Sequence, residues 1–380
     1  MRSISICSTC LCVLMLLNVA IAAEPEPSYP TAVFAAPRYA SRSELLVIRD
    51  KKGTQSPVRT PDDWKIRRQH ILAAMQEVMG PLPDRSKFPA FDMKILETVK
   101  GDGYQRLTIS LAGDEKDRIP AYLYLPDDRP AGKKLPGAIA LQPTGEAGKG
   151  IVDDKGPLPN RGYGKELAQR GYIVIAPDYP SFGDLKKHDF LASNYLSGTM
   201  KGIANHMRCL DYLASREDVD AASFAAIGHS LGGHNSMFLG VFDERVKVVV
   251  SSCGWSQFRD YYGYFGGKLS GWAQDRYMPR IKYVYDSEPD RVPFDFYEVI
   301  AALAPRAFLT VSPINDHNFD VESVRRTLPV SQKVFDLLKV SDNLQAQFPT
   351  CRHDFPDDMR RASYAFIDKH LKHTPARQVP

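Results

Sequence analysis

The sequence predicts an α/β fold: a mostly parallel central sheet with helices on both faces and an aromatic-rich, cap-like insertion. Three observations predict it. After Pro136, short apolar runs of strand length alternate with longer segments of helical spacing. One strand–helix junction reads Phe224-Ala225-Ala226-Ile227 followed by Gly228-His229-Ser230-Leu231-Gly232. The alternation is interrupted once, over 254–300, where thirteen of 47 residues are Phe, Trp or Tyr against 10% for the whole chain.

Residues 1–22 read as a signal peptide. Arg2 supplies a positive start, Leu11 to Val19 an apolar core too short for a comfortable membrane span, and Ala20-Ile21-Ala22 a small-x-small cleavage site. The expected location is therefore exported, periplasmic or extracellular, with no stable membrane span after cleavage. Residues 23–60, rich in Pro, Ser and Ala, read as a linker and N-terminal extension, and 61–375 as the folded domain. The net charge of +4 is small for 380 residues. The charged stretch Arg118 to Lys134 is mixed in sign, so nucleic acid is not an expected partner. Beyond the leader only Cys209, Cys253 and Cys351 remain, which allows at most one disulfide.

Within the domain, Thr60 or Asp62 caps a helix that Gly80-Pro81 stops. Phe91–Val99, Tyr104–Leu111 and Ile119–Leu125 are β-rich and separated by glycine or charged turns, an antiparallel lead-in. Then come strand Gly137–Leu141, helix Tyr163–Gln169, strand Tyr172–Ala176, helix Met200–Ala214, the junction at Ser230 and strand Val246–Ser252. Past the interruption follow strand Ala307–Val311, helix Ser331–Lys339, strand Leu344–Phe348 and helix Asp357–Leu371. The insertion has two readings of equal weight: a cap that shapes a pocket, through Trp255 and Tyr261, or an aromatic core of its own.

The Gly-x-Ser-x-Gly motif explains its glycines. A sharp strand-to-helix turn holds the serine in a strained conformation, and side chains two residues before or after it would collide. At the helix start the N–H of Leu231 can donate to an oxyanion. Such a serine needs a base, and the base an orienting acid, which follow it in the order acid then histidine. Of nine histidines, His70, His188 and His206 precede the serine, His229 and His234 sit in the motif and its helix, and His370 and His373 close the chain. That leaves His317 and His353, of which His353, between the last strand and the last helix, is the base. Asp316, on the loop after Ala307–Val311, is the acid, with Asp320 as runner-up. The other acid position, Ser252-Cys253-Gly254, offers no carboxylate, and Asp354 reads as loop-stabilising. The second oxyanion donor belongs on the loop Leu141-Gln142-Pro143-Thr144-Gly145. Proline has no N–H, so the donor is Thr144, with Gly145 as the alternative, and Gln142 orients the loop or touches substrate.

Gly228-His229-Ser230-Leu231-Gly232-Gly233, Ala176-Pro177-Asp178-Tyr179 after a parallel strand, and Asp316 with His353 together resemble the α/β-hydrolase superfamily, over Pro120 to Leu371. Within it the chain is similar to secreted bacterial hydrolases grouped with dienelactone hydrolases and acetyl xylan esterases. Its lead helix, with Trp64, Arg67, Arg68, Met79 and Gly80, resembles that of bacterial glucuronoyl esterases. It departs from those at Leu231, where they usually carry Arg, and from dienelactone hydrolases in having serine rather than cysteine as nucleophile. The resemblance implies a secreted serine hydrolase that cleaves carboxylic esters of carbohydrate or aromatic substrates and needs no cofactor. Two alternatives are a serine peptidase similar to the prolyl oligopeptidase catalytic domain, and a binding module on a hydrolase fold. A metal centre is not expected, since His-Glu-x-x-His is absent and the histidines lack ligand spacing.

Overall fold

The computed structural model describes residues 36–114, 117–130, 132–262 and 268–379. The expected signal peptide lies outside them. The 23–60 segment, read as linker and extension, is packed where it is described: strands β1 (Val47–Arg49) and β2 (Gln55–Pro57) form a hairpin, and Tyr39, Leu45 and Val58 are buried. Helix α1 (Pro61–Met79) starts as the sequence indicates. Thr60 accepts from the Asp63 N–H while Asp63 accepts from the Thr60 N–H, a capping box.

α1 braces the core from behind. Its Arg68 donates to the carbonyls of Val241 (2.6 Å) and Ala302 (2.9 Å), which terminate two other helices. Arg67 is fully buried, 2.5 Å from Glu298 and stacked over Tyr39. A buried pair of this kind is costly to break from one side, because the other charge is then left without a partner.

The sheet has nine strands. In chain order they are β3 (Lys94–Lys100), β4 (Tyr104–Ala112), β5 (Arg118–Pro126), β6 (Leu135–Leu141), β7 (Ile173–Pro177), β8 (Val219–His229), β9 (Val246–Ser252), β10 (Ala307–Val311) and β11 (Leu344–Gln347). Across the sheet the order is β11-β10-β9-β8-β6-β7-β5-β4-β3. From β7 to β11 every pairing is parallel, while β5, β4 and β3 add an antiparallel flank. The helices are α2 (Tyr163–Gln169), α3 (Gly198–Ala214), α4 (Leu231–Phe242), α5 (Arg280–Tyr283), α6 (Phe296–Leu303), α7 (Val321–Leu337) and α8 (Asp357–Leu371). One apolar layer joins α1, α3, α4, α6 and α7 to the sheet, and another joins α2 and α8 to its opposite face. Strands β6 to β10 face both layers, which is why they read as continuous apolar runs rather than alternating ones.

The chain leaves β6 for β7 on one side and returns to β8 on the other. Between β6 and β8 the winding reverses, and the carboxyl ends of those strands open a crevice where α/β sheets hold ligands. The helix expected over Ser331–Lys339 is longer, Val321–Leu337. Pro329 lies inside it, and the Asp320 side chain caps its start by accepting from the N–H groups of Glu322 and Ser323. The interruption over 254–300 is not separate from the core. Trp255, Phe258, Trp272, Phe294 and Phe296 belong to the main apolar layer, and α6 packs against α4 and α7. No helix among the described residues is long and apolar enough to cross a membrane.

His206, fully buried on α3 with its Nδ1 unpartnered, is pushed down to about 3 by desolvation. A folded-state value below the unfolded one means that unfolding takes up a proton once pH drops under about 6.5, so this contribution is present above that pH and lost toward pH 3. Chemical denaturation at stepped pH should show stability rising between pH 5 and 6.5 about 1.4 kcal/mol per pH unit less steeply in His206→Gln than in the parent.

Candidate active site

Ser230 stands where β8 meets α4, with φ 54 and ψ −118, a left-handed conformation for a residue with a side chain. The two flanking glycines permit it. A Cβ on Gly228 would come within 2.2 Å of the Gly232 backbone, and one on Gly232 within 1.9 Å of the Leu141 carbonyl oxygen. The junction is thus driven against the end of β6. The Ser230 N–H is taken by the Ser252 carbonyl at 2.8 Å, so it is not the oxyanion donor. Leu231 is the first residue of α4, and its N–H has no partner within the helix.

His353 follows β11 and reaches back over the sheet edge. Its Nδ1 lies 2.9 and 3.0 Å from the two Asp316 carboxylate oxygens. Asp316 is buried and also accepts from the Asn318 N–H at 2.8 Å and the Phe319 N–H at 3.3 Å. A carboxylate fixed in this way sets the tautomer with the proton on Nδ1 and leaves Nε2 as the base. The runner-up, Asp320, is a helix cap.

The loop carrying His353 is held by partners distant in the chain. Arg161 donates to Asp354 Oδ1 at 2.6 Å, and Asn160 to Asp354 Oδ2 at 2.9 Å. The thiol of Cys253 donates to the Asp354 carbonyl at 3.3 Å. Burial pushes the Asp354 carboxyl up, but the bonds from Arg161 and Asn160 outweigh it and hold it below the usual range. The reading of Asp354 as loop-stabilising agrees with this geometry. On the other side, the His229 ring lies 4.8 Å from that of His353 and stacks on Phe355, its Nδ1 3.1 Å from the Ser252 hydroxyl. Burial keeps His229 neutral, with Arg161 and His353 adding to the shift.

Cys253, Asp316 and His353 bring one ligating atom each to within 4.8 Å of the others. The donor set does not suit a cation. Burial raises the Cys253 thiol well above its ordinary value, so it stays protonated, and the carboxylate and imidazole are turned on each other.

Ser230, Leu231, Thr144, Tyr261 and His353 line one cavity of about 670 Å³, a size suited to a small ligand. Two expectations fail. Trp255 does not line it: the side chain is 1% exposed, stacked on Phe296, with its N–H on the Thr310 hydroxyl at 3.0 Å. Gln142 does not line it either; its amide is buried with neither the oxygen nor the nitrogen partnered. Gln142 directly follows β6, and Trp255, three residues past β9, belongs to the apolar layer, where packing outranks access.

Other lining residues escaped sequence reasoning. Tyr277 places its hydroxyl 3.1 Å from the Thr144 hydroxyl, and so touches the expected oxyanion loop. His234 lines the cavity beside Trp272, its Nδ1 on the Gly254 carbonyl, and burial pushes it down to about 3. Arg161, Phe319 and Asn318 complete the wall near His353. No local pattern marks Arg161, because its partner is 193 residues away. The Ala176-Pro177-Asp178-Tyr179 motif proves to be a support. Asp178 accepts from Lys149 Nζ and from the Lys149 N–H, each at 2.7 Å, tying the loop after β6 to the loop after β7. Tyr179 donates to the Arg276 carbonyl at 2.7 Å and so fixes the insertion.

Sheet topology, serine junction and acid–histidine pair define the chain as an α/β-hydrolase. Comparison with known proteins narrows the class. Residues 193–339 match the family described as glucuronyl esterase of fungi, a span that includes Ser230 and Asp316 but not His353. The hydrolase YtaP of Bacillus subtilis is 26% identical over 65% of this chain and 81% of its own length. Carbohydrate esterase MZ0003, from an unknown prokaryotic organism, is 24% identical over 74% of each chain. Among solved structures, a glucuronoyl esterase from Solibacter usitatus superposes with a TM-score of 0.67 at 20% identity, covering 88% of this chain and 99% of that one. The glucuronoyl esterase catalytic domain from Hypocrea jecorina gives 0.62 at 17% identity over 90% and 92%. The chain is an ester hydrolase, similar to carbohydrate esterases.

Removing the clamp on the base loop should act through His353. In Arg161→Met, kcat on an ester should fall about ten- to a hundredfold with KM changed less than about threefold, because the imidazole loses its fixed placement while the cavity remains. Steady-state kinetics with a short p-nitrophenyl ester reads both constants.

Proposed function

We propose that this protein is an exported serine esterase acting on carbohydrate esters, with Ser230 as nucleophile, His353 as general base and Asp316 as its orienting acid. The observation that carries the reading is the His353–Asp316 pair on the same cavity wall as a serine in strained elbow geometry. Ser230 Oγ attacks the ester carbonyl carbon and its proton passes to His353 Nε2. Asp316, bonded to Nδ1, stabilises the imidazolium that forms. The tetrahedral oxyanion accepts from the N–H groups of Leu231 and Thr144, each contributing on the order of 3 kcal/mol in the transition state. The imidazolium then protonates the departing alcohol, and water, activated by the same histidine, releases the acid.

The substrate class rests on the relatives and on the cavity. The matched family and several of the structural neighbours are glucuronoyl esterases, so the acyl group we favour is a sugar acid. Trp272, Tyr261, Tyr277 and Phe319 offer aromatic faces on which a sugar ring stacks, and His234, Asn318 and Thr144 offer polar atoms for hydroxyls. Leu231 packs with Tyr179 and Phe182 rather than presenting a charge, which suits an esterified, neutral acyl group. Residues 1–22 act in this reading as a leader removed on export.

The test is hydrolysis of methyl glucuronate, an acetylated xylan and a peptide amide. Ser230→Ala should lower kcat on the ester by about 10⁴-fold or more, and Asp316→Asn by a comparable factor, with unchanged circular dichroism. A Ser230→Ala protein that keeps near-parental ester turnover overturns the mechanism; turnover of the amide alone would make the chain a peptidase.

A further inference from the structure

A second cavity, of about 720 Å³, adjoins the first and shares the residues Gln274 and Arg276 with it. Its wall also carries Phe190, Asp275, Lys282 and Tyr283. The two cations stand out. Arg276 and Lys282 enter no ion pair among the described residues. Each instead lies over an aromatic ring: the Arg276 guanidinium 5.3 Å from Phe182, the Lys282 ammonium 4.8 Å from Tyr283. Elsewhere along the first cavity, the buried cation Arg161 is matched to Asp354.

The backbone beneath Arg276 is fixed. Its carbonyl accepts from the Tyr179 hydroxyl, the Tyr277 carbonyl accepts from the Thr199 N–H at 3.1 Å, and the Tyr277 hydroxyl meets Thr144. A guanidinium held on a rigid segment and an aromatic face, yet lacking a carboxylate, is prepared for an anion that arrives from solution. The aromatic and amide groups beside it suit a sugar ring and its hydroxyls.

We propose that the second cavity is a subsite for an anionic sugar residue, a uronate carboxylate bound between Arg276 and Lys282, next to the residue whose ester is cleaved. The shared wall lets one oligosaccharide occupy both cavities. The inference rests on the carbohydrate-esterase reading for its physiological meaning, and its test does not depend on turnover. Asp275 is the one carboxylate among the described residues of that wall and limits the gain without matching either cation by an ion pair.

Calorimetric titration of the Ser230→Ala protein with trigalacturonate and with the neutral xylotriose tests it. The acidic trimer should bind at least about tenfold more tightly, equivalent to one well-placed charge-assisted hydrogen bond. The advantage should shrink to about twofold or less when Arg276→Gln and Lys282→Gln are added, and also in about 0.5 M sodium chloride, where partly exposed charges are screened. Thermal melting of the variant checks its fold, and the salt series reads the same charge effect without any substitution. Equal affinity for the two trimers, including none for either, overturns the proposal, as does a preference that survives both substitutions. An acid preference in the Ser230→Ala protein, together with no ester turnover by the parent, would retain the subsite and reject the esterase reading.

Discussion

At the end of β8 the chain presses against the end of β6, closely enough that a single added methyl at Gly232 would sit 1.9 Å from the Leu141 carbonyl oxygen. The candidate site depends on that contact. It forces a left-handed turn at Ser230, which costs on the order of 1–3 kcal/mol in a residue with a side chain. Fixed surroundings offset the cost. The Ser230 N–H is bonded to β9, α4 is buried on every side, and Arg68 holds the far ends of α4 and α6 through their carbonyls. The lead helix, remote from the cavity, thereby supports the strained turn at Ser230.

His353 is held by different means. No strand or helix positions His353; it hangs on a loop between β11 and α8, so side chains must fix it. Asp316 grips the ring from one side, His229 and Phe355 pack on the other, and the buried Arg161 anchors the next residue. Keeping His229 neutral matters here, since a cation at 4.8 Å would oppose protonation of the His353 ring. The insertion adds the roof. Some of its aromatic residues are core and others face the cavity, because it crosses the strand ends where the apolar layer meets the crevice. Both readings of that stretch hold at once: Phe258 and Trp255 pack, and Tyr261 and Tyr277 line.

The sequence by itself determined the sheet and the serine junction. Apolar runs of strand length, glycines at fixed offsets and capping residues are local signals, and they located β9, β10, α2 and α8 with the boundaries found in the structure. The pairing of Asp316 with His353 was legible by chain order, which survives folding because the loops carrying them follow particular strands. Local signals failed where tertiary contacts outweighed them: α7 begins at Val321, ten residues before the expected start at Ser331, with Pro329 inside it.

Only the tertiary structure decided which aromatic and polar side chains reach the cavity. Gln142 directly follows β6 and Trp255 is packed in the apolar layer, whereas Arg161 and Tyr277 arrive from segments that no spacing rule connects to Ser230. Their partners are far along the chain, Arg161 with Asp354 and Tyr277 with Thr144. A pairing between distant residues leaves no periodic trace in a single sequence; it exists only once the sheet has brought the loops together.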